Sequence, residues 1–215
     1  MKKGWKIVIV VLGIIIFIPL FFISSVQIGV FGRLPGKKEL ISFRNATASV
    51  VLSHDGETIG RFFSENRITI PFDQMPAHLI NSLVATEDAR FYEHSGIDSR
   101  SLVRVVFKSI LFSDRSSGGG STITQQLAKN MYGRKDYRVF SVILNKTREV
   151  ILAKRIEKVF TKDKILELYL NTVSFGENIY GIEAASQRYF SKKAADLKVE
   201  EAALLTGMLK ANTMY

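Results

Sequence analysis

An uncharged, strongly apolar run near the N-terminus constrains this sequence more than any other feature. It covers residues 7–23 and is preceded by Lys2, Lys3 and Lys6. As a helix it would be about 25 Å long, close to the roughly 30 Å hydrocarbon core of a bilayer. Lysines before the run and none just after it follow the positive-inside rule. We therefore expect one transmembrane helix, with the N-terminus in the cytoplasm and the following chain outside it.

A cleaved signal peptide is the alternative interpretation, because Ser24 and Ser25 are small residues. The run is longer than the usual apolar region of a signal peptide, about 7–15 residues, so we favour a signal anchor. Both interpretations export the folded part. We expect cytoplasmic lysines and anchor over residues 1–31, a juxtamembrane connector over residues 32–48 and a folded domain over residues 49–215.

Composition limits the chemistry and the partners. The chain has no cysteine and three histidines, which excludes disulfide frameworks and leaves little for a zinc site. The formal net charge of +10 favours nucleic acid, anionic lipid or a phosphorylated substrate as partner. Because an exported domain does not meet nucleic acid, we favour lipid phosphates.

Residue periodicity predicts a mainly α-helical domain that begins with a short β-hairpin. Ser49–Leu52 and residues 58–63 have the pattern of strands joined by an Asp-Gly turn. From Pro76 onward the apolar spacing is helical, and a second clear helix is predicted at about residues 139–160. The apolar stretch at residues 102–112 is either a core helix or a surface that dips into the outer leaflet.

Glu87 stands on the apolar face of the first of these helices. It lies four residues after Leu83 and four before Phe91, so its carboxylate points toward the packed side. Such a carboxylate pairs with a buried arginine, caps a neighbouring helix, or serves as a general acid or base.

The helix at residues 139–160 has a similar charged group. Helical spacing places Lys146 and Glu149 in or beside its apolar face and Arg148 off that face, toward solvent. Buried unpaired charge costs several kcal/mol. Two interpretations follow. Lys146 and Glu149 form an internal ion pair, or Glu149 is a second catalytic carboxylate that faces Glu87 across a cleft.

A glycine-rich loop enters a helix capped by serine or threonine at residues 118–124. Such a junction offers backbone N–H groups to a phosphate, although the order of residues is not that of a Walker loop. Thr122, Gln126 and Lys129 form a polar face, which is suited to sugar hydroxyls and a diphosphate or is simply solvated.

Five motifs carry a family resemblance. They are E-D-x-x-F-x-x-H-x-G at residues 87–96, G-S-T-I-T-Q-Q-x-x-K-N at residues 120–130, the K-x-x-E part of R-K-x-x-E at residues 146–149, I-L-E-x-Y-L-N at residues 165–171 (directly after Lys164) followed by Gly176, and G-x-x-x-A-x-x-x-Y-F at residues 181–190. In this order they closely resemble the peptidoglycan glycosyltransferase (transglycosylase) module of class A penicillin-binding proteins and monofunctional transglycosylases.

The resemblance implies a lysozyme-like, two-lobed fold preceded by one transmembrane helix, at the bacterial plasma membrane with the catalytic domain outside the cytoplasm. It implies that lipid II is polymerised into β-1,4-linked glycan strands, with inversion at the donor anomeric carbon and release of undecaprenyl diphosphate. The implied partners are lipid II, the growing strand, membrane lipid and other cell wall synthesis proteins, with Mg²⁺ or another divalent cation as cofactor. Family members usually continue further, which leaves a C-terminal truncation open.

The resemblance also implies roles for individual residues. Glu87 would be the general base, and Glu149 the second carboxylate, which stabilises the donor site or holds the divalent ion. Lys129 and Lys146 would neutralise the diphosphate leaving group. Supporting or substrate-binding roles are implied for Asp88, His94, Thr122, Gln126, Asn130 and Arg148.

One position departs from the family pattern. Asn145 stands where the R-K-x-x-E motif has its arginine, so one positive charge near the diphosphate is missing. Arg148 or Arg138 would be the candidates to compensate for it. Two other functions stay open on the residues alone: a membrane-anchored glycoside hydrolase that uses the same carboxylates, and a non-catalytic exported module that binds anionic lipid or polymer.

Overall fold

The computed structural model describes residues 3–43, 49–55, 58–62, 66–104 and 120–211. Helices make up most of this part, and residues 99–104 are also helical. The labelled helices are α1 (Lys3–Gln27), α2 (Lys37–Ile41), α3 (Ala77–Glu87), α4 (Ile123–Tyr132), α5 (Ser141–Glu157), α6 (Lys162–Thr172), α7 (Ile182–Phe190) and α8 (Val199–Ala211). The prediction of a mainly helical chain is confirmed.

Strands are few and short. Strand β1 (Ser49–Leu52) pairs antiparallel with β2 (Thr58–Phe62), and β3 (Asn66–Arg67) pairs parallel with β4 (Ile179–Tyr180). The register of the first pair shifts between Val51 and Leu52. Gly56 and Glu57, from the predicted turn, lie outside the described residues, as do most of the glycine-rich loop and residues 105–112 of the apolar stretch.

Helix α4 lies at the centre of the described core. It packs against α5 and α6, while α3 packs against α8. The side chains of Ile123 and Leu127 are fully buried because they lie four residues apart on one face of α4. On α6 the same spacing buries Ile165 and Tyr169. The polar residues between these positions are thereby held at fixed places around α4.

Short polar caps and one glycine fix where the helices begin. The hydroxyl of Thr122 accepts from the backbone N–H of Gln125 at the start of α4. Gly181 has φ of 86°, and a Cβ there would lie 3.2 Å from the backbone oxygen of Asn171. Only glycine meets both conditions easily, so α7 can start close against α6.

Helix α1 contains the segment predicted to cross the membrane, residues 7–23. Across the parts of the chain that the structure describes, no helix combines the length and the apolar character that a membrane crossing requires. The structure therefore does not confirm the predicted transmembrane helix.

The described part of the predicted connector, residues 32–43, is packed onto the domain. Leu34 and Leu40 are buried in the same core as the helices of the domain. The guanidinium group of Arg155, on α5, donates to the backbone oxygen of Pro35 at 2.8 Å. The segment that follows α1 is thus held against α5.

Candidate active site

The carboxylate of Glu87 lies at the C-terminal end of α3, and its two oxygens have different surroundings. Nε2 of Gln126, on α4, donates to Oε2 of Glu87 at 2.7 Å. Oε1 of Glu87 is buried and has no hydrogen-bond partner within the described residues. Glu87 and Gln126, both predicted site residues, are therefore in direct contact, with one acceptor atom left over.

Tyr169, on α6, sets the orientation of the Gln126 amide. Its hydroxyl donates to Oε1 of Gln126 at 3.0 Å. Burial, and next the charge of Glu87, raise the pKa of Tyr169 above its ordinary value, so the hydroxyl stays protonated and remains a donor. With its oxygen bound to Tyr169, Gln126 must direct its NH₂ group toward Glu87.

The sequence analysis did not single out Tyr169, although it lies inside the fourth motif. Helical spacing places it on the buried face of α6, where a tyrosine needs a partner for its hydroxyl. The buried position of this tyrosine could therefore have indicated a hydrogen bond from its hydroxyl. Spacing alone does not reveal which residue accepts that bond.

Asp88 and His94 form a buried pair beside Glu87. Nε2 of His94 lies 3.0 Å from both carboxylate oxygens of Asp88. Asp88 also accepts from the backbone N–H of Ile123, the first residue of α4, at 3.1 Å. Asp88 thus ties the end of α3 to the start of α4, which fixes the distance between Glu87 and Gln126. These contacts give Asp88 and His94 a supporting position, and their binding of substrate stays a prediction.

Three other predicted residues of the second motif differ in their surroundings. Thr122 is buried, and its hydroxyl donates to the backbone oxygen of Gly96 at 2.8 Å. Nδ2 of Asn130 is buried without a partner in the described part of the chain. Lys129 is exposed near the end of α4. Thr122 is therefore engaged in the fold, whereas Asn130 and Lys129 offer donors.

Glu149, on α5, forms a second charged cluster. Its side chain is 7% exposed and lies between two cations. Nε of Arg134 donates to Oε1 at 2.9 Å, and Nζ of Lys146 donates to Oε2 at 3.2 Å. Nζ of Lys146 also donates to Oγ of Ser121 at 2.6 Å. The predicted Lys146–Glu149 ion pair is present, and Arg134 is a member that the sequence analysis missed.

The segment at residues 121–126 joins the two clusters. Ser121 contacts Lys146 of the second cluster, and Gln126, five residues later, contacts Glu87 of the first. The segment thus connects the two glutamates, Glu87 through Gln126 and Glu149 through Lys146.

The prediction that Arg148 points toward solvent is wrong. Arg148 is 7% exposed, and its Nη1 donates to the backbone oxygen of Gly32 at 2.8 Å. The reason is that α5 is buried on two sides, by α4 and by residues 31–35, which lie more than a hundred positions away in sequence. Its predicted binding of substrate finds no support in these contacts.

A cavity of about 590 Å³ opens beside Lys146, between α1 and α5. Four cations and three aliphatic side chains are among its lining residues, and the lining as described includes no acidic residue. The lining residues are Ile23, Gln27, Lys146, Thr147, Val150, Ile151, Lys154, Arg155 and Lys158. This combination suits a molecule with an anionic head and an apolar tail.

Comparison with known proteins gives the family. The transglycosylase family model matches residues 55–215. Penicillin-binding protein 1F of Bacillus subtilis is 39% identical over 215 residues, which are 100% of this chain and 29% of the relative. Penicillin-binding protein 1A of Aquifex aeolicus is 40% identical over 210 residues, 98% of this chain and 28% of the relative.

A third relative, penicillin-binding protein 1A of Escherichia coli, is 40% identical over 183 residues, which are 85% of this chain and 21% of that protein. The chain thus spans less than a third of the length of each of these relatives. The family model covers well over half of the chain, and it confirms the resemblance drawn from the five motifs. The chain belongs to the transglycosylase family.

Proposed function

We propose that this chain is a peptidoglycan glycosyltransferase that polymerises lipid II into β-1,4-linked glycan strands in bacterial cell wall synthesis. Membership of the transglycosylase family supports this activity. The observation that carries the proposal is the carboxylate of Glu87, with one oxygen fixed by Gln126 and the other buried without a partner in the described residues. A buried acceptor without a donor is costly, so a substrate hydroxyl is a fitting partner for it.

Glu87 is the general base of the proposed reaction. The 4-hydroxyl oxygen of the acceptor attacks the anomeric carbon of the donor sugar while its proton moves to Oε1 of Glu87. The bond from that carbon to the diphosphate breaks, the α-linkage is inverted to β, and undecaprenyl diphosphate leaves. A general base in this position contributes about 10²–10⁴-fold to the rate. Gln126 keeps the carboxylate in place throughout.

Lys146 of the second cluster and Lys129 on α4 stabilise the leaving diphosphate. Lys146 has a side chain that is 36% exposed, so its ammonium group can reach a ligand while it contacts Glu149. Lys129 is exposed, and the buried Nδ2 of Asn130 needs an acceptor. Donors aimed at developing negative charge are usually the largest single contribution to catalysis. Glu149 keeps the cations of the cluster oriented.

A lipid-linked substrate agrees with the surroundings of the site. The cavity between α1 and α5 offers aliphatic side chains and lysines together. Helix α1 exposes large apolar side chains, among them Phe17 and Phe21, which are 67% and 64% exposed. We propose that α1 anchors the chain at the plasma membrane. Because lysines precede the apolar run, the N-terminus would be cytoplasmic and the domain outside.

The wider assignments are proposals as well. The mainly helical domain is compatible with the larger lobe of a lysozyme-like, two-lobed fold, with the connector at residues 32–48 between domain and anchor. The growing strand and other cell wall synthesis proteins are the proposed partners. Nucleic acid is not among them, because a domain outside the cytoplasm does not meet it.

The proposed Mg²⁺ or other divalent ion has no ready-made protein site in the described residues. No group of three or more metal-ligating side chains occurs there, and Glu149 already accepts from two cations. These residues do not fit a resident ion. We propose instead that the ion arrives bound to the diphosphate, and that EDTA lowers polymerisation without lowering the melting temperature of the protein.

Incubation with labelled lipid II and Mg²⁺ in detergent tests the proposed activity. Wild type, Glu87→Gln and the matched control Glu93→Gln are compared, with products resolved by size. Glu93 is an exposed glutamate six residues away in the same motif. We expect polymer from wild type and from the control, and a rate at least about 10²-fold lower for Glu87→Gln because the base is lost.

Each other outcome has a distinct meaning. Full activity of Glu87→Gln would remove Glu87 from the role of base. Shortened glycan strands instead of polymer would indicate a hydrolase. Absence of polymer from wild type, with binding of anionic lipid retained in all three proteins, would favour the non-catalytic module.

A further inference from the structure

Arg134 reaches the second cluster from outside the helices. It follows α4 by two residues and comes directly after Gly133, which ends that helix with φ of 64°. Its side chain is 54% exposed, while the carboxylate of Glu149 that it contacts is 7% exposed. Arg134 therefore lies at the boundary between a buried charge and the solvent.

The guanidinium group of Arg134 is only partly used by this contact. Nε donates to Oε1 of Glu149 at 2.9 Å, and the two terminal nitrogens have no partner among the described residues. A guanidinium fork with free terminal N–H groups is suited to bind two oxygens of a phosphate. Arg134 and Lys146 together carry two positive charges against the single negative charge of Glu149. The cluster thus has an excess of one positive charge.

Asn145 holds the backbone from which Arg134 extends. The backbone N–H of Lys135 donates to Oδ1 of Asn145 at 3.0 Å, and Nδ2 of Asn145 donates to the backbone oxygen of Lys135 at 2.7 Å. Asn145 is 5% exposed, so both bonds are shielded from water. Because Lys135 follows Arg134 directly, this pair of bonds restricts where the guanidinium group can reach.

We propose that Arg134 is an anion-binding residue that contacts the substrate diphosphate together with Lys146, and that Asn145 is its positioning residue. The inference rests on the proposed function, which it extends to a residue that no motif contains. It also accounts for the departure at position 145. The charge comes from the segment after α4, and the asparagine holds that segment in place.

The other arginines considered for this role are less suited to it. Arg148 donates to backbone oxygens of Phe31 and Gly32 and is buried. Arg138 is exposed and makes no side-chain contact with the cluster in the described part of the protein. Of these three, Arg134 alone combines contact with Glu149 and free donors.

Calorimetric titration of the full chain with inorganic diphosphate tests the inference without turnover. Arg134→Gln should weaken diphosphate binding about tenfold or more, because charge-assisted hydrogen bonds are lost. Arg134→Lys should lie in between, since it keeps the charge and loses the fork. The matched control is Arg188→Gln, which also removes an arginine from an ion pair, with the exposed Glu177. The control should bind within twofold of wild type.

A double-mutant cycle tests the role of Asn145 separately. Asn145→Ala should weaken diphosphate binding in wild type but change it little in the Arg134→Gln background. Equal effects in both backgrounds would show that Asn145 does not act through Arg134. If Asn145→Ala does not fold, the comparison of Arg134→Gln with Arg188→Gln still tests whether Arg134 binds diphosphate. Binding by Arg134→Gln as tight as by wild type overturns the inference.

Polymerisation of lipid II by the same proteins separates this inference from the proposed function. Diphosphate binding that depends on Arg134, without polymer from wild type, would reject the glycosyltransferase and keep the anion site. If wild type forms polymer but its diphosphate binding does not depend on Arg134, the anion site is rejected and the glycosyltransferase is kept.

Discussion

Replacement of Tyr169 by phenylalanine tests how the site is held together. The substitution removes one oxygen, and the fully buried ring keeps its packing, so no large cavity opens. What is lost is the 3.0 Å hydrogen bond to Oε1 of Gln126. A neutral hydrogen bond contributes about 0.5–1.5 kcal/mol, and a buried acceptor without a donor costs about 1–3 kcal/mol. We expect a loss of about 1–2 kcal/mol, or about 2–8 °C in Tm for a chain of this size.

The effect on activity should be smaller than that of removing the base. Gln126 keeps its bond to Glu87, and this bond alone still favours the NH₂ group facing the carboxylate. We expect polymerisation of lipid II to fall about 3- to 10-fold in Tyr169→Phe, which corresponds to about 0.6–1.4 kcal/mol in the barrier. Glu87→Gln should fall at least tenfold further.

The stability difference between wild type and Tyr169→Phe should depend on pH in a definite direction. Burial and the charge of Glu87 raise the pKa of Tyr169 above 10.0, so folding favours the protonated hydroxyl. Its contribution to stability is therefore complete below about pH 10 and is lost as the pH rises beyond that value. Tyr169→Phe should be less stable than wild type at pH 8, and the difference should shrink above pH 10.

Urea unfolding at pH 8 and pH 10.5, together with initial rates of polymerisation, measures these effects. A rate loss of more than about 100-fold with unchanged stability would refute the reasoning, because the hydroxyl would then take part in the chemistry rather than orient Gln126. Unchanged stability at pH 8 would mean that the hydrogen bond contributes nothing in solution.

Three further predictions concern stability, each measured by urea unfolding. Asp88→Asn leaves either His94 or the first N–H of α4 without an acceptor, so the free energy of unfolding should fall by about 1–3 kcal/mol. A change near zero would contradict the role of Asp88 in joining α3 to α4. Arg148→Met should lower the free energy of unfolding by about 1–3 kcal/mol and leave diphosphate binding unchanged. Weaker diphosphate binding would show that Arg148 takes part in the anion site. Gly96→Ala should cost at least about 1 kcal/mol, because φ is 87° and the added Cβ would lie 3.0 Å from the backbone of Ala153; a neutral effect would show that the loop adapts.

Local patterns were sufficient to predict the helices and part of the site. The spacing of Leu83 and Glu87 predicted a helix with a carboxylate on its packed side, and α3 covers both residues. The prediction that this helix continues to Phe91 is wrong, because α3 ends at Glu87 and the buried Phe91 lies in a separate 3-10 turn. The predicted ion pair of Lys146 with Glu149 is present as well. Both features depend on residues within one turn of a helix of each other, which sequence spacing describes well.

Contacts between distant segments were not predictable in the same way. Helical spacing placed one apolar face on α5, whereas the structure buries Leu144, Arg148 and Leu152 and leaves Ile143 exposed. The face that contacts residues 31–35 is stabilised by backbone carbonyls, which carry no side-chain signal. Tyr169 and Arg134 were missed for the same reason, because each acquires its role from a partner on another element.

The bonds from α5 to residues 31–35 determine where this domain can be joined to another protein. Nη1 of Arg148 is satisfied by Gly32, and Nη1 of Arg155 by Pro35. A fusion that deletes the chain up to residue 36, or gives residues 31–36 a different backbone path, would leave both guanidinium groups without these acceptors, on the same helix that carries Glu149. A junction placed before Phe31 would keep them. A chimaera that keeps these bonds must therefore include the chain from Phe31 onward, about twenty residues before β1 begins at Ser49.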